Sequence, residues 1–160
     1  MIQFLKSGDT GELFAVQKYH PYLQIAQFGK DALVEKQLKI VVHGGTAKNK
    51  LTDDHKYTFH PDHEEQEASR RALEHAHHVV NSGDYDIVIL DEINSALSKQ
   101  LIPIEDVLKL ITNKPEHVEL VLTGRGALPE LIKAADYVAN ITRVKHPYDN
   151  GILARKGIEY

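Results

Sequence analysis

The sequence predicts an α/β protein built on a mostly parallel sheet, and three observations carry that prediction. Short apolar runs alternate with helical stretches through the second half of the chain, the order that produces strand–crossover–strand units. One run, Ile87-Val88-Ile89-Leu90, is apolar at four consecutive positions without alternation, the pattern of a strand buried on both faces. The 160 residues, 42% hydrophobic and 26% charged, suit a single domain over positions 1–160 with a real core.

Taken in order, Ile2–Leu5 reads as a short strand, followed by a loop from Lys6 to Gly11. Glu12–Tyr19 fits a short helix stopped by Pro21, and Leu23–Phe28 a second strand ending at Gly29. Leu38–Val42 is a third apolar run, closed by Gly44-Gly45, and Thr46 to Pro61 is polar and turn-rich. Asp62 suits the N-cap of a long helix reaching about Ser82, where Glu64, Glu65 and Glu67 complement the dipole. Its apolar stripe is Ala68, Ala72, Leu73, Ala76, Val79 and Val80, at helical spacing, and Gly83 ends it. After the Ile87–Leu90 strand come a helix over Ile104–Thr112, a strand over Val118–Leu122 and a helix over Pro129–Ala135. Tyr137–Val144 is expected as a last strand.

Composition excludes several classes of function. Nineteen basic against 23 acidic residues give a net charge of −4, which offers no general attraction to nucleic acid or anionic membrane. With no Cys there are no disulfides, thiolate nucleophiles or zinc–thiolate sites. No apolar run reaches the roughly 18 residues of a membrane span. The opening MIQFLKSGD lacks the basic-then-apolar plan of a signal peptide, so a cytoplasmic protein is expected.

In parallel sheets, ligands sit beyond the carboxyl ends of the strands. That rule selects Lys6–Glu12, Asp91–Asn94, Thr123–Gly126 and Lys145–Gly151. Asp91-Glu92 after a buried strand has the form of a Walker B element, an acid able to hold Mg²⁺ beside a polyphosphate. The plain alternative is that Asp91 caps the next helix and Glu92 is solvated. In Thr123-Gly124-Arg125-Gly126, two glycines permit close backbone approach and leave a guanidinium for phosphate or carboxylate, or simply make a tight turn. Lys145, His146 and Asp149 place a cation, an imidazole and a carboxylate on one late loop, or on ordinary surface.

Ten histidines raise a metal question, sharpest for His60, His63, His75, His77 and His78. No H-E-x-x-H pattern is present, and a solvated, partly cationic helix face is the better reading. Neither is there a G-x-S-x-G elbow. The nearest approach to a G-x-x-x-x-G-K-[ST] phosphate loop begins at Gly44, but Asn49 replaces its second Gly and Leu51 its hydroxyl residue; it reads as a loop.

Taken together, Asp86–Asn94, Lys114-Pro115, Val118–Gly126, Pro129–Ile132, Ala135-Asp136, Val144–His146, Asp149, Gly151 and Gly157–Tyr160 resemble, in order and spacing, the P-loop-containing ATP:corrinoid adenosyltransferases. Gln3–Lys6, Gly11-Glu12 and Phe28-Gly29 resemble that family's second strand, the loop after it and a later turn. The resemblance implies a three-layer, mostly parallel sheet of P-loop-NTPase type with the first β–P-loop–α unit missing. It implies ATP and a corrinoid, cob(I)alamin or a precursor, as substrates, with transfer of the 5′-deoxyadenosyl group and release of triphosphate. Glu92 and Asp91 would serve Mg²⁺; Gln3, Lys6, Glu12, Asn94, Arg125, Lys145, His146 and Asp149 would face the nucleotide or the corrinoid.

Two departures follow. The family's G-N-G-K-G-K-[ST] loop has no counterpart, and Asp31-Ala32-Leu33-Val34 stands where its corrinoid-facing aromatics lie. The alternatives are a non-catalytic corrinoid- or nucleotide-binding module of the same fold and a metal-dependent enzyme using the His-rich helix. A sheet without its first unit has an open edge, so a homodimer contact or the Leu38–Val42 run is expected to cover it.

Overall fold

Ile2–Phe4 (β1), Ala26–Phe28 (β2), Ile87–Asp91 (β3) and Glu119–Leu122 (β4) form one sheet in the order β2-β1-β3-β4, every pair parallel. This computed structural model describes residues 1–8, 11–19, 22–29 and 63–155. The Leu38–Val42 run, the string after Gly44, His60 and the expected N-cap Asp62 fall outside them. Five helices accompany the sheet among the described residues: α1 (Gly11–Tyr19), α2 (His63–Asn81), α3 (Ile93–Ser98), α4 (Ile104–Asn113) and α5 (Pro129–Ala134). A 3₁₀ turn covers Pro147–Asn150. The α/β class and the parallel sheet match the expectation from sequence.

Register decides which side chains share a face. Ile2 lies opposite Ala26 and Leu90, and Gln3 opposite Gln27 and Asp91. Because successive side chains alternate, Ile2, Phe4, Val88 and Leu90 point to one face while Gln3, Gln27 and Asp91 line the other. The apolar face meets α2, whose buried Ala68, Ala72 and Ala76 let the helix approach closely and whose Leu73 and Val80 fill the gaps. Val107 and Leu110 of α4, Ile93 and Leu97 of α3, and Leu131 of α5 complete this core. Each fully buried branched side chain contributes about 1.5–3 kcal/mol relative to exposure. On the polar face, Glu12 of α1 meets Gln3, so helices flank both sides of β1.

Three expectations are corrected. The strand β3 is buried on one face only: Val88 and Leu90 are enclosed, whereas Ile87 is 59% exposed and Ile89 half-buried. Val121 of β4, on the same polar face, is 43% exposed, so at this end no described helix covers the second face. Residues 137–144 do not form a strand; Tyr137, Ile141 and Val144 are 94–96% exposed and the segment pairs with no described strand. Alternation of apolar residues alone cannot make a strand where no neighbour offers hydrogen bonds. Thirdly, α3 is a helix absent from the sequence reading, although Ile93, Ala96 and Leu97 stand at helical spacing and are all buried.

Candidate functional site

Parallel strands end on one side, so their C-terminal residues gather there whatever their distance in sequence. After β1 the chain turns at Leu5, with φ of 58°, and presents Lys6; after β3 it presents Asp91 and Glu92; after β4, Thr123 to Gly126. Gly29, after β2, lies so close to the first of these turns that a Cβ would stand 2.6 Å from the Lys6 carbonyl carbon. No side chain fits there without moving the Lys6 backbone.

Asp91 is the hub. Its Oδ2 accepts from Lys6 Nζ at 2.8 Å and from Gln3 Nε2 at 3.2 Å, and its Oδ1 accepts from Thr123 Oγ1 at 2.7 Å. Lys6 Nζ also reaches Glu12 Oε1 at 3.2 Å, while Gln3, fully buried, is held from behind by Gln27 Nε2 at 2.9 Å. Burial by itself would raise the Asp91 carboxyl, but hydrogen bonds from Lys6 and Thr123 and the ammonium charge outweigh it, leaving Asp91 below the ordinary carboxylate range. Lys6 is the mirror case. Partial burial would lower it, the bond and charge of Asp91 and then Glu12 overcome that, and its ammonium is held above the ordinary lysine value. Asp91 is therefore an anion and Lys6 a cation throughout the neutral range.

A second cluster adjoins the first. Glu92 sits in the left-handed region at φ 65°, unusual for a non-glycine residue, and its N–H donates to Thr123 Oγ1 at 3.2 Å. That hydroxyl thus ties Glu92 to Asp91. The Glu92 carboxylate accepts from Ser95 Oγ, and the same Ser95 oxygen accepts the Arg125 N–H at 3.1 Å. Gly124, at φ 123°, packs so closely that a Cβ would lie 3.0 Å from Ser95 N and 3.2 Å from Glu92 Cα. Asn94 N donates to the Thr123 carbonyl at 3.1 Å; its side chain is buried, and Asn94 Oδ1 has no hydrogen-bond partner among the described residues.

Of the residues singled out from sequence, Gln3, Lys6, Glu12 and Asp91 share one network, with Glu92, Asn94 and Arg125 beside it. Lys145, His146 and Asp149 are exposed and joined to neither cluster by any hydrogen bond or ion pair among the described residues. Asp149 pairs with Arg143 at 3.1 Å, and His146 Nδ1 accepts the Tyr148 N–H at 3.1 Å. The structure adds Thr123 as a bridging hydroxyl and Ser95 as a link between turns; parallel register, with Leu90 opposite Leu122, places Thr123 beside Asp91. No group of three or more His, Cys, Asp or Glu able to hold a metal occurs among the described residues. His75 departs from the solvated reading of the helix face: it is half-buried, its ring 5.4 Å from that of Phe28, and burial lowers its pKa.

A parallel sheet whose strand ends converge on a Walker-B-like acid and a glycine-flanked arginine defines a P-loop-NTPase-like α/β protein, though no G-x-x-x-x-G-K-[ST] string occurs in its 160 residues. The comparison with known families is narrower. The profile of "ATP:corrinoid adenosyltransferase BtuR/CobO/CobP" matches residues 1–160, and the chain belongs to that family. A corrinoid adenosyltransferase of Escherichia coli (strain K12) is 31% identical over 93 residues, 58% of this chain and 47% of the relative. One from Pseudomonas aeruginosa is 43% identical over 77 residues, 48% and 38% of the two chains. Corrinoid adenosyltransferase CobA of Salmonella typhimurium is 35% identical over 75 residues, 47% and 38%. The chain thus spans less than half the length of these curated relatives in the matched region. No described helix is long and apolar enough to cross a membrane.

Proposed function

We propose that this chain carries the metal- and corrinoid-facing part of an ATP:corrinoid adenosyltransferase, and that the unit cradling the triphosphate lies outside these 160 residues. The observation that carries the reading is the convergence of Asp91, Glu92, Thr123 and Arg125 at one strand-end rim. In the reaction, the cobalt(I) of the reduced corrinoid attacks the 5′ carbon of ATP. A cobalt–carbon bond forms, the carbon–oxygen bond breaks, and the electron pair leaves with triphosphate. No general base takes part. What the protein supplies is alignment of the two substrates, where proximity contributes up to about 7–11 kcal/mol, and charge to receive the leaving group.

The donors present suit Mg²⁺. They are carboxylate and hydroxyl oxygens, and nucleotide sites hold this ion through one or two carboxylates, substrate phosphates and water. Asp91 Oδ2 is already engaged by a cation, Lys6, which supports the rim as a place for positive charge. Glu92 is the proposed ligand, with Asp91 behind it. When bound, Mg²⁺ would neutralise charge on the triphosphate. The Lys6 ammonium and Arg125 guanidinium add cationic donors, Gln3 and Glu12 hold Lys6 in place, and Asn94 supports the turn beside Arg125. Lys145, His146 and Asp149, on the late loop, are proposed to face the nucleotide or the corrinoid.

The exposed Ile87, Val121 and residues 137–144 support a covering element at this end of the sheet. We infer a homodimer contact there, in a cytoplasmic protein, and sedimentation velocity measures it: a monomer at all concentrations overturns that assignment. The second reading is a corrinoid- or nucleotide-binding module of the same fold without turnover. Calorimetry separates the two. Binding of MgATP, with a Mg²⁺-dependent component abolished in Glu92→Ala, supports the enzyme. Corrinoid binding with no ATP binding at millimolar concentration establishes the module.

A further inference from the structure

Ser95 is named by neither the family resemblance nor the proposed mechanism, yet its one hydroxyl bonds both the Glu92 carboxylate and the backbone of the Arg125 turn. Its hydroxyl has one proton to give and lone pairs to receive. The proton goes to the Glu92 carboxylate, and a lone pair takes the Arg125 backbone N–H at 3.1 Å. Both bonds run through one oxygen, so the position of either partner constrains the other. The glycine turn is also close to this helix end: a Cβ on Gly124 would lie 3.0 Å from Ser95 N. The Arg125 guanidinium itself is exposed, so its aim depends on where its backbone is held.

We propose that Ser95 is a positioning residue that couples the Glu92 carboxylate to the Arg125 turn, so that the acid and the guanidinium act as one preformed unit. The inference rests on the functional reading for its purpose, since that reading gives Glu92 the metal and Arg125 the anion. Its physical content is independent of any ligand. With the hydroxyl donating to it, the carboxylate keeps one orientation instead of several. With the N–H bound, the turn holds the Arg125 backbone still. A bond donated to a charged acceptor is the stronger of the two, so removing Glu92 should loosen the hydroxyl and, through it, the Arg125 amide.

A four-variant cycle on the whole chain tests this, with the Arg125 amide hydrogen-exchange rate read by NMR in wild type, Ser95→Ala, Glu92→Ala and the double variant. Ser95→Ala should speed exchange about five- to tenfold, the loss of one hydrogen bond, and Ser95→Thr should restore most of the protection. Glu92→Ala should speed it about two- to fivefold while Ser95 is present and leave it unchanged in the Ser95→Ala background. Unchanged protection of the Leu90 and Leu122 amides shows that the sheet survives. Equal effects of Glu92→Ala in both backgrounds, or none in either, overturn the coupling. A separate Mg²⁺ titration addresses purpose. If wild type binds Mg²⁺, Ser95→Ala should weaken binding about tenfold. An unchanged affinity there overturns the positioning role, whereas failure of wild type to bind Mg²⁺ sinks the functional reading and leaves the exchange cycle to decide the coupling.

Discussion

Two regions of this chain carry similar residue types and treat them differently. At the rim, Lys6, Asp91 and Glu12 form a network with Gln3 and Thr123, each standing on or just beyond a paired strand except Glu12, which reaches Gln3 and Lys6 from the first turn of α1. In residues 137–155, Lys145 and Asp149 bear the same kinds of charge, but among the described residues Asp149 pairs only with nearby Arg143, His146 bonds only within its own turn, and the segment is exposed. A charge becomes part of a site when its backbone is held by a sheet, because the ordering entropy is then already met by hydrophobic packing. Where the backbone is not part of a sheet, an exposed ion pair such as Arg143–Asp149 has to order its side chains in water and is worth about 0–1 kcal/mol.

The widest separation between the regions should appear in core truncations. Leu90 is fully buried between β1 and β4, so Leu90→Ala removes packed volume and should cost about 2–5 kcal/mol in urea unfolding. Ile141, 94% exposed, should change stability by no more than about 0.5 kcal/mol on truncation to Ala. A loss above 1 kcal/mol for Ile141→Ala would show that residues 137–144 are packed in solution, and that the contrast between regions is false.

A smaller but more chemical difference is expected of the two aspartates. Asp91→Asn keeps the shape but removes the charge and turns one of the two accepting oxygens into an NH₂ donor, so the Lys6 ammonium loses its counter-charge and either the Lys6 and Gln3 bonds or the Thr123 bond lose their acceptor. It should cost about 1–3 kcal/mol in the same assay. Asp149→Asn should cost about 0.5 kcal/mol or less. Equal effects would mean that the strand-end network adds nothing beyond surface charge.

This contrast also explains what was legible from sequence. The helix α2 was readable because Ala68, Ala72, Leu73, Ala76 and Val80 repeat at helical spacing within a 19-residue helix, and β3 because four apolar residues stand together. Asp91, Glu92 and Arg125 were found because a parallel sheet sends function to strand ends, a rule that needs only strand order along the chain. Thr123 and Ser95 were missed as partners because their roles depend on register across strands and on the turn into α3, neither of which is written in local pattern. Residues 137–144 show the opposite error. Their composition suits a strand, but pairing is a property of two segments, and no described neighbour is available.

The smallest effect is in pH dependence, where the two sides of the sheet should titrate in separate windows. His75, on the apolar face against Phe28, has its pKa lowered first by burial and then by the charges of His78 and the N-terminus. The fold therefore prefers the neutral imidazole. Its contribution is complete above the unfolded value near 6.5 and declines as pH falls from there toward the depressed folded value. Asp91, on the polar face, has a pKa depressed by Lys6 and Thr123 despite burial, so its contribution persists through that window and is lost only as pH falls through its own folded value, below the ordinary carboxylate range. Lys6 has the reverse sign: its contribution is complete below the ordinary lysine value and is lost as pH rises through its raised one. Urea midpoints measured from pH 7.5 to 3 should show a shallow decline beginning near pH 6.5 in wild type. That decline should flatten in His75→Phe, which keeps the ring against Phe28 without its titration, and stay unaltered in Asp91→Asn. If His75→Phe leaves the slope between pH 7 and 5 untouched, the helix face carrying His75 is as solvated as the histidine pattern first suggested, and α2 does not lie against Phe28 as described.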